Sequence, residues 1–199
     1  MKAAIEFYFD FSSPYGYFAA EQIEALAARH GRSTQWRPIL LGAVFKVTGQ
    51  QPLVTIPLKG GYAEHDLARS ARGYGLPFRK PARFPVATTA ACRMFYSLTD
   101  TDPAAAKTLA MALYRAYFVD DRDISDPAAV VAVATALGHD GAALSAALED
   151  PALKDRLRQE VDAAVARGVF GSPYLIVDGE PFWGADRLDQ MERWLQCPW

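Results

Sequence analysis

The chain has 199 residues, of which 51% are hydrophobic and 22% charged, with a formal net charge of −2. That balance describes one substantial soluble domain, or a small domain carrying a large insertion. It offers no basic surface for nucleic acid or an anionic membrane, and no apolar run approaches the roughly 20 residues that span a bilayer.

The N-terminal MKAAIEFYFDF carries two acids and lacks the uninterrupted apolar core of a secretory signal, so a cytoplasmic protein is expected. Residues 3–11 (AAIEFYFDF) predict a strand with Ile5, Phe7 and Phe9 on one face. Ser12-Ser13-Pro14 then starts a helix, because serine is a preferred N-cap and proline lacks an N–H that has no partner in the first turn anyway. The helix runs through Tyr17, Ala20, Ile23 and Ala27 and ends near His30-Gly31. Residues 33–39 (STQWRPI) predict a second strand, shortened by Pro38.

From about residue 40 to 150 the patterns are helical or loop-like. Helices are predicted over 67–75, 86–97 and 103–118, the last with an apolar stripe at Leu109, Leu113, Ala116 and Tyr117. Asp126-Pro127 opens another, and a shorter one follows Asp140. Strand character then returns. After an amphipathic helix over 151–168 (Leu153, Leu157, Val161, Val165), residues 174–177 predict a strand, and Asp178-Gly179 a hairpin turn into Pro181-Phe182-Trp183. Asp186 is expected to cap a last helix through Leu188, Met191 and Leu195.

Two strands at each end cannot each bury a face alone, so they should combine in one mixed four-stranded sheet. The expected fold is therefore α/β: a thioredoxin-like domain (1–39 and 151–199) with a large all-helical insertion (40–150). The two cysteines, Cys92 and Cys197, belong to no CxxC, and His30, His65 and His139 are isolated, so neither a disulfide framework nor a metal site is expected.

Three separated motifs converge in that arrangement: DFSSPYGY (10–17), GVFGSPYLIVDG (168–179) and FWGADRL (182–188). Together with RPILLGAVFK, PLKGGY and LPFRKPARFP, they resemble the 2-hydroxychromene-2-carboxylate isomerases and, less closely, the kappa-class glutathione transferases, both in the DsbA-like branch of the thioredoxin superfamily. The likeness covers essentially the whole chain. A redox member would open the helix with CxxC; here those positions hold Ser13 and Gly16, which argues against disulfide exchange.

The resemblance implies a glutathione-dependent isomerase of an aromatic-degradation intermediate, as in naphthalene catabolism, with glutathione as a recycled cofactor and a homodimer as the assembly. It assigns Ser13 to the glutathione sulfur. A hydroxyl donor and a helix N-terminus favour thiolate, whereas serine itself has no base to make it a nucleophile. It further implies that Pro173 follows a cis bond, that Ser172 pairs with the tripeptide backbone, and that Trp183, Gly184, Ala185 and Asp186 hold its γ-glutamyl end. Lys46, Lys59, Tyr62 and Phe84, with Asp66 and Arg69 nearby, come from segments resembling the family's substrate side. An aromatic carboxylate calls for a cation and a flat apolar wall. Gln50, Gln51 and Val86-Ala87 stand where the family often carries asparagines, which keeps open a kappa-like transferase. The same residues also admit a non-catalytic glutathione- or peptide-binding module, or an oxidoreductase using Cys92.

Overall fold

A computed structural model describes residues 3–199. Strand β1 (Ile5–Phe9) lies beside β2 (Thr34–Pro38) in parallel, in a register running from Ile5 opposite Thr34 to Phe9 opposite Pro38. A parallel pair needs a crossover, and helix α1 (Pro14–Arg29) provides it. Strand β3 (Tyr174–Val177) joins the other side of β1 in antiparallel fashion, and β4 (Glu180–Trp183) pairs with β3, giving the order β2-β1-β3-β4. The β3–β4 turn is Asp178-Gly179, both at positive φ, as the sequence predicts.

The sheet is central. Ile5, Phe7 and Phe9 have no solvent exposure, and α1 buries Tyr17, Phe18, Ile23 and Leu26. Between β2 and β3 the chain forms α2 (Leu41–Thr48), a 3-10 turn (Leu53–Thr55), α3 (Lys59–Tyr74), α4 (Thr89–Thr99), α5 (Pro103–Phe118), α6 (Pro127–Ala136), α7 (Gly141–Glu149) and α8 (Pro151–Ala166). Helix α5 packs against α1 and α4, while α8 packs against α2, α4 and α7. An aromatic cluster fills the seam: the Tyr114 ring sits 5.8 Å from Phe9, 5.3 Å from Phe11 and 5.8 Å from Tyr17 between centroids. No helix of the described residues is long and apolar enough to cross a membrane.

Two sequence expectations need correction, and one helix lies where none is specified. Helix α3 begins at Lys59, eight residues before the predicted 67–75 segment, because its buried face is built from Gly60, Ala63, Leu67 and Ala71, whose small side chains give a weak apolar signal. Helix α2 falls in a stretch read only as helical or loop-like, although Leu41, Val44 and Phe45 at helical spacing and Gly49, at φ 71° after its last residue, are helix signals. Asp186 caps no helix: Gly184, at φ 113°, turns the chain into a 3-10 turn (Ala185–Arg187), and α9 (Leu188–Gln196) starts only afterwards, without a side-chain cap.

Candidate active site

The site begins where β1 ends and α1 starts. Ser13 is the N-cap of α1 and is 5% exposed; its Oγ accepts the Gly16 N–H at 3.0 Å. The same hydroxyl donates to the Ser172 carbonyl at 2.9 Å, across 159 residues of sequence. The hydroxyl is therefore engaged on both sides. The first turn of α1 offers less than a bare helix terminus would: Pro14 has no N–H, Gly16 is bound to Ser13 Oγ, and the Tyr17 N–H reaches the Ser13 carbonyl at 3.0 Å. The Tyr15 N–H makes no hydrogen bond among the described residues.

The Ser172–Pro173 peptide is cis, as is Phe84–Pro85, which carries no distinguishing signal in the sequence. Ser172 Oγ accepts the Asp10 N–H at 2.9 Å, and the Ser172 N–H makes no hydrogen bond among the described residues. Gly16 faces this pair closely. A Cβ there would lie 2.7 Å from the Tyr114 hydroxyl and 2.8 Å from Ser172 Oγ. The position where a dithiol enzyme places its second cysteine has no room for a side chain. Cys92, on α4, is fully buried with Sγ 3.7 Å from the Ile39 carbonyl, and burial pushes its thiol well up, so it supplies no attacking thiolate.

A cavity of about 490 Å³ opens beside Ser13 and Ser172. It is lined by Ser12, Ser13, Tyr15 and Ser172, by Phe45 and Lys46 of α2, by Leu53 of the 3-10 turn with Gln50 in the link between them, and by Phe84 and Val86. Most of the lining is apolar. Lys46 is the one cationic side chain on it among the described residues, and it makes no ion pair or hydrogen bond there.

The structure does not bring every sequence-derived candidate to this cavity. Lys46 and Phe84 line it; Lys59 and Tyr62 do not. Lys59 opens α3 and is exposed, and Tyr62, also exposed, accepts a hydrogen bond from Arg69 at 3.0 Å. Arg69 also binds Asp66, and Asp66 in turn accepts the Tyr15 hydroxyl at 2.5 Å. The Tyr15 bond foremost, and then Arg69, hold the Asp66 carboxyl below the usual carboxylate range even though its partial burial opposes this. Burial and that same carboxylate push the Tyr15 phenol up. This cluster fixes the cavity rim, and the sequence shows only its members.

The Trp183-to-Asp186 segment lies beyond the rim, next to the cavity. The Trp183 indole rests on Gly171, where a Cβ would meet Nε1 at 2.2 Å, and Gly171 lines the cavity. Ala185 is buried, whereas Asp186 is exposed and pairs with Arg187 at 3.8 Å. Its carboxylate adds a small upward push to the Tyr15 and Tyr74 phenols, after burial. No cluster of three or more metal-ligating side chains occurs among the described residues.

Comparison with known proteins agrees with this architecture. The family model for the DSBA-like thioredoxin domain matches residues 4–196. A 2-hydroxychromene-2-carboxylate isomerase of Sphingobium xenophagum is 31% identical, over 98% of this chain and 99% of the relative. Glutathione s-transferase kappa 2 of Caenorhabditis elegans is 27% identical, over 99% of this chain and 93% of its own length. A solved structure of a 2-hydroxychromene-2-carboxylate isomerase matches with a TM-score of 0.88 at 28% identity, covering 97% of this chain and 94% of that one. The chain belongs to the DsbA-like thioredoxin family and, within it, to the family of the 2-hydroxychromene-2-carboxylate isomerases.

Proposed function

We propose that this member of the DsbA-like thioredoxin family is a glutathione-dependent isomerase of 2-hydroxychromene-2-carboxylate or a closely similar aryl 2-oxo acid. The observation that carries the reading is Lys46, an exposed lysine with no ion-pair partner among the described residues, on the wall of a mostly apolar cavity that also contains the Ser13–Ser172 pair. With the Asp10 carboxylate on the same lining already held by its own three donors, a slot of this size with one cation suits a flat monoanion.

The residues present fit glutathione. Its cysteinyl backbone finds an N–H without a partner and a carbonyl at Ser172, which pairs with an extended peptide as an added strand does. When that carbonyl accepts the peptide N–H, the Ser13 hydroxyl is released to donate to sulfur. The Tyr15 N–H is a second donor at the same point. Asp186 offers a carboxylate to the γ-glutamyl ammonium, and Trp183 with Gly184 and Ala185 forms the surface around it. Bound glutathione supplies a thiolate whose reversible addition to the conjugated double bond makes that bond single long enough to rotate.

The chain's own residues then have three tasks. Ser13 and the Tyr15 N–H favour the anionic sulfur. Lys46 holds the substrate carboxylate and, being next to it, draws electron density toward the 2-oxo group. Phe45, Phe84 and Val86 enclose the aryl ring and exclude water. A homodimer in the cytoplasm belongs to the same reading and is checked by sedimentation and fractionation.

The deciding assay follows the chromene carboxylate by absorbance with and without glutathione while free thiol is titrated. Glutathione-dependent equilibration with constant thiol is the expected result. Loss of thiol in proportion to substrate makes the protein a kappa-like transferase. No conversion, with glutathione still bound, leaves a binding module and overturns the isomerase.

A further inference from the structure

Asp10 is where the two halves of the cavity meet. Its backbone N–H donates to Ser172 Oγ at 2.9 Å, and its carbonyl accepts the Ser13 N–H at 2.9 Å and the Tyr114 hydroxyl at 3.0 Å. The carboxylate reaches the other way. Oδ1 accepts the Ser12 N–H at 2.8 Å and the Thr88 hydroxyl at 2.9 Å, and Oδ2 accepts the Leu41 N–H at 2.7 Å. Leu41 is the first residue of α2, the helix that carries Phe45 and Lys46. That helix has Leu40 at its N-cap and no side-chain cap of its own. Thr88 is the N-cap of α4 and follows the Phe84–Val86 wall.

Asp10 is 4% exposed, and no cation pairs with it among the described residues. A buried carboxylate without a cation destabilises a fold unless its donors compensate. Two of the three donors, Ser12 and Leu41, line the cavity, and the third, Thr88, follows its wall residues Phe84–Val86. We propose that Asp10 is a positioning residue: its carboxylate caps α2 and so sets the separation between Lys46 and the Ser13–Ser172 pair.

This rests on the reading of Lys46 and Ser13 given above. Asp10→Asn keeps the shape but turns one acceptor into a donor. With the amide oxygen on Ser12 and Thr88, the amino group opposes the Leu41 N–H; flipped, it opposes the Ser12 N–H. One link is lost either way, and α2 is freed or the Ser13 turn is. A displacement of about 1 Å at a reacting centre lowers rates on the order of 100-fold.

The test is a double-mutant cycle of Asp10→Asn with Lys46→Gln, read by calorimetric binding of cinnamate, an unreactive aryl carboxylate, alongside kcat, KM and glutathione affinity. If Asp10 positions Lys46, Lys46→Gln weakens cinnamate about 10-fold or more in the wild type and much less in the Asp10→Asn background. The folded Asp10→Asn protein also loses roughly 10- to 100-fold in kcat. Additive losses in cinnamate affinity, or a fully folded Asp10→Asn protein with wild-type kcat, overturn the proposal. If Asp10→Asn does not fold, Thr88→Val removes a single donor and enters the same cycle under the same criteria. Cinnamate binding needs no turnover, so a wild type that binds it without isomerising fails the function and leaves the Asp10 result standing. A wild type that does not bind cinnamate overturns both.

Discussion

Replacing Ser13 by alanine separates the stability role of this residue from its role toward sulfur. The hydroxyl caps the Gly16 N–H and satisfies the Ser172 carbonyl. Loss of an N-cap costs about 1 kcal/mol, and leaving the half-buried Ser172 carbonyl without its donor costs about 1 kcal/mol more. The expected destabilisation is about 2 kcal/mol, a fall in Tm of roughly 4–8 °C for a chain of this length. Chemistry is affected separately. A hydrogen bond to a charged group is worth about 1.5–3 kcal/mol, so its loss raises the bound thiol's pKa by about 1–2 units.

Two measurements check this. Ultraviolet thiolate absorbance of the glutathione complex, titrated against pH, gives the thiol pKa in each protein. The isomerisation rate then rises with pH along a limb that Ser13→Ala displaces upward by the same interval, with kcat near neutral pH lower by roughly 10- to 100-fold. The reasoning fails if Ser13→Ala melts lower, as a lost cap requires, yet leaves the thiol pKa and kcat unchanged. Ser13 is then a cap and nothing more.

Lys46→Gln keeps most of the side chain's length and removes its charge; kcat/KM for the aryl acid falls by roughly 10- to 100-fold while glutathione affinity is unchanged, as initial rates and calorimetry read out. Tyr15→Phe keeps the ring on the cavity wall and removes the bond to Asp66, for a loss of about 1 kcal/mol at neutral pH given that Asp66 is partly solvated. The sign with pH follows from the lowered Asp66 carboxyl. Its contribution is present above the unfolded value of 3.8 and is lost as pH falls through the folded value. The wild-type advantage over Tyr15→Phe in urea unfolding therefore closes in acid; a gap that stays constant to pH 2 contradicts the assignment.

How much of the molecule is legible in its sequence depends on where each signal resides. Strand β1, helix α1 and the β3–β4 hairpin carry theirs locally: Ile5, Phe7 and Phe9 in alternation, Ser13-Pro14 as cap and first turn, Asp178-Gly179 as the turn. The start of helix α2 does not, because its cap is a carboxylate 31 residues upstream that sequence periodicity cannot display. Helix α3 hides behind Gly60-Gly61, which reads as a breaker, although Gly60 is needed where a Cβ would meet the Val54 carbonyl at 2.5 Å. Ser13, Ser172 and Lys46 stand out through motif and family resemblance. Asp10 sits inside a motif with no evident task, since most of its partners are backbone groups. Asp186 reads as a cap because an Asp just ahead of the apolar-periodic Leu188, Met191 and Leu195 looks like a helix start, and only the φ of Gly184 reveals the intervening turn.

Gly16 separates this protein from dithiol enzymes of the same fold more firmly than the missing cysteines do. Ser13→Cys places a thiol at a helix N-terminus beside the Tyr15 N–H, where thiolate is favoured. With oxidised glutathione that thiolate forms a mixed disulfide and releases one reduced glutathione; no second thiol is near to resolve it, so the adduct persists in intact mass spectra. Adding Gly16→Cys does not restore exchange. The new Cβ falls 2.7 Å from the Tyr114 hydroxyl and 3.2 Å from the Cβ of residue 13, while a disulfide wants Cβ atoms about 3.5–4.5 Å apart. Tyr114 cannot retreat, since its ring is wedged among Phe9, Phe11 and Tyr17 and its hydroxyl holds the Asp10 carbonyl. The double variant is expected to lose about 1–3 kcal/mol from overpacking and to keep the glutathione adduct. Clean release of glutathione with an internal disulfide, at wild-type stability, would show that the space at Gly16 is not what keeps this active site from dithiol chemistry.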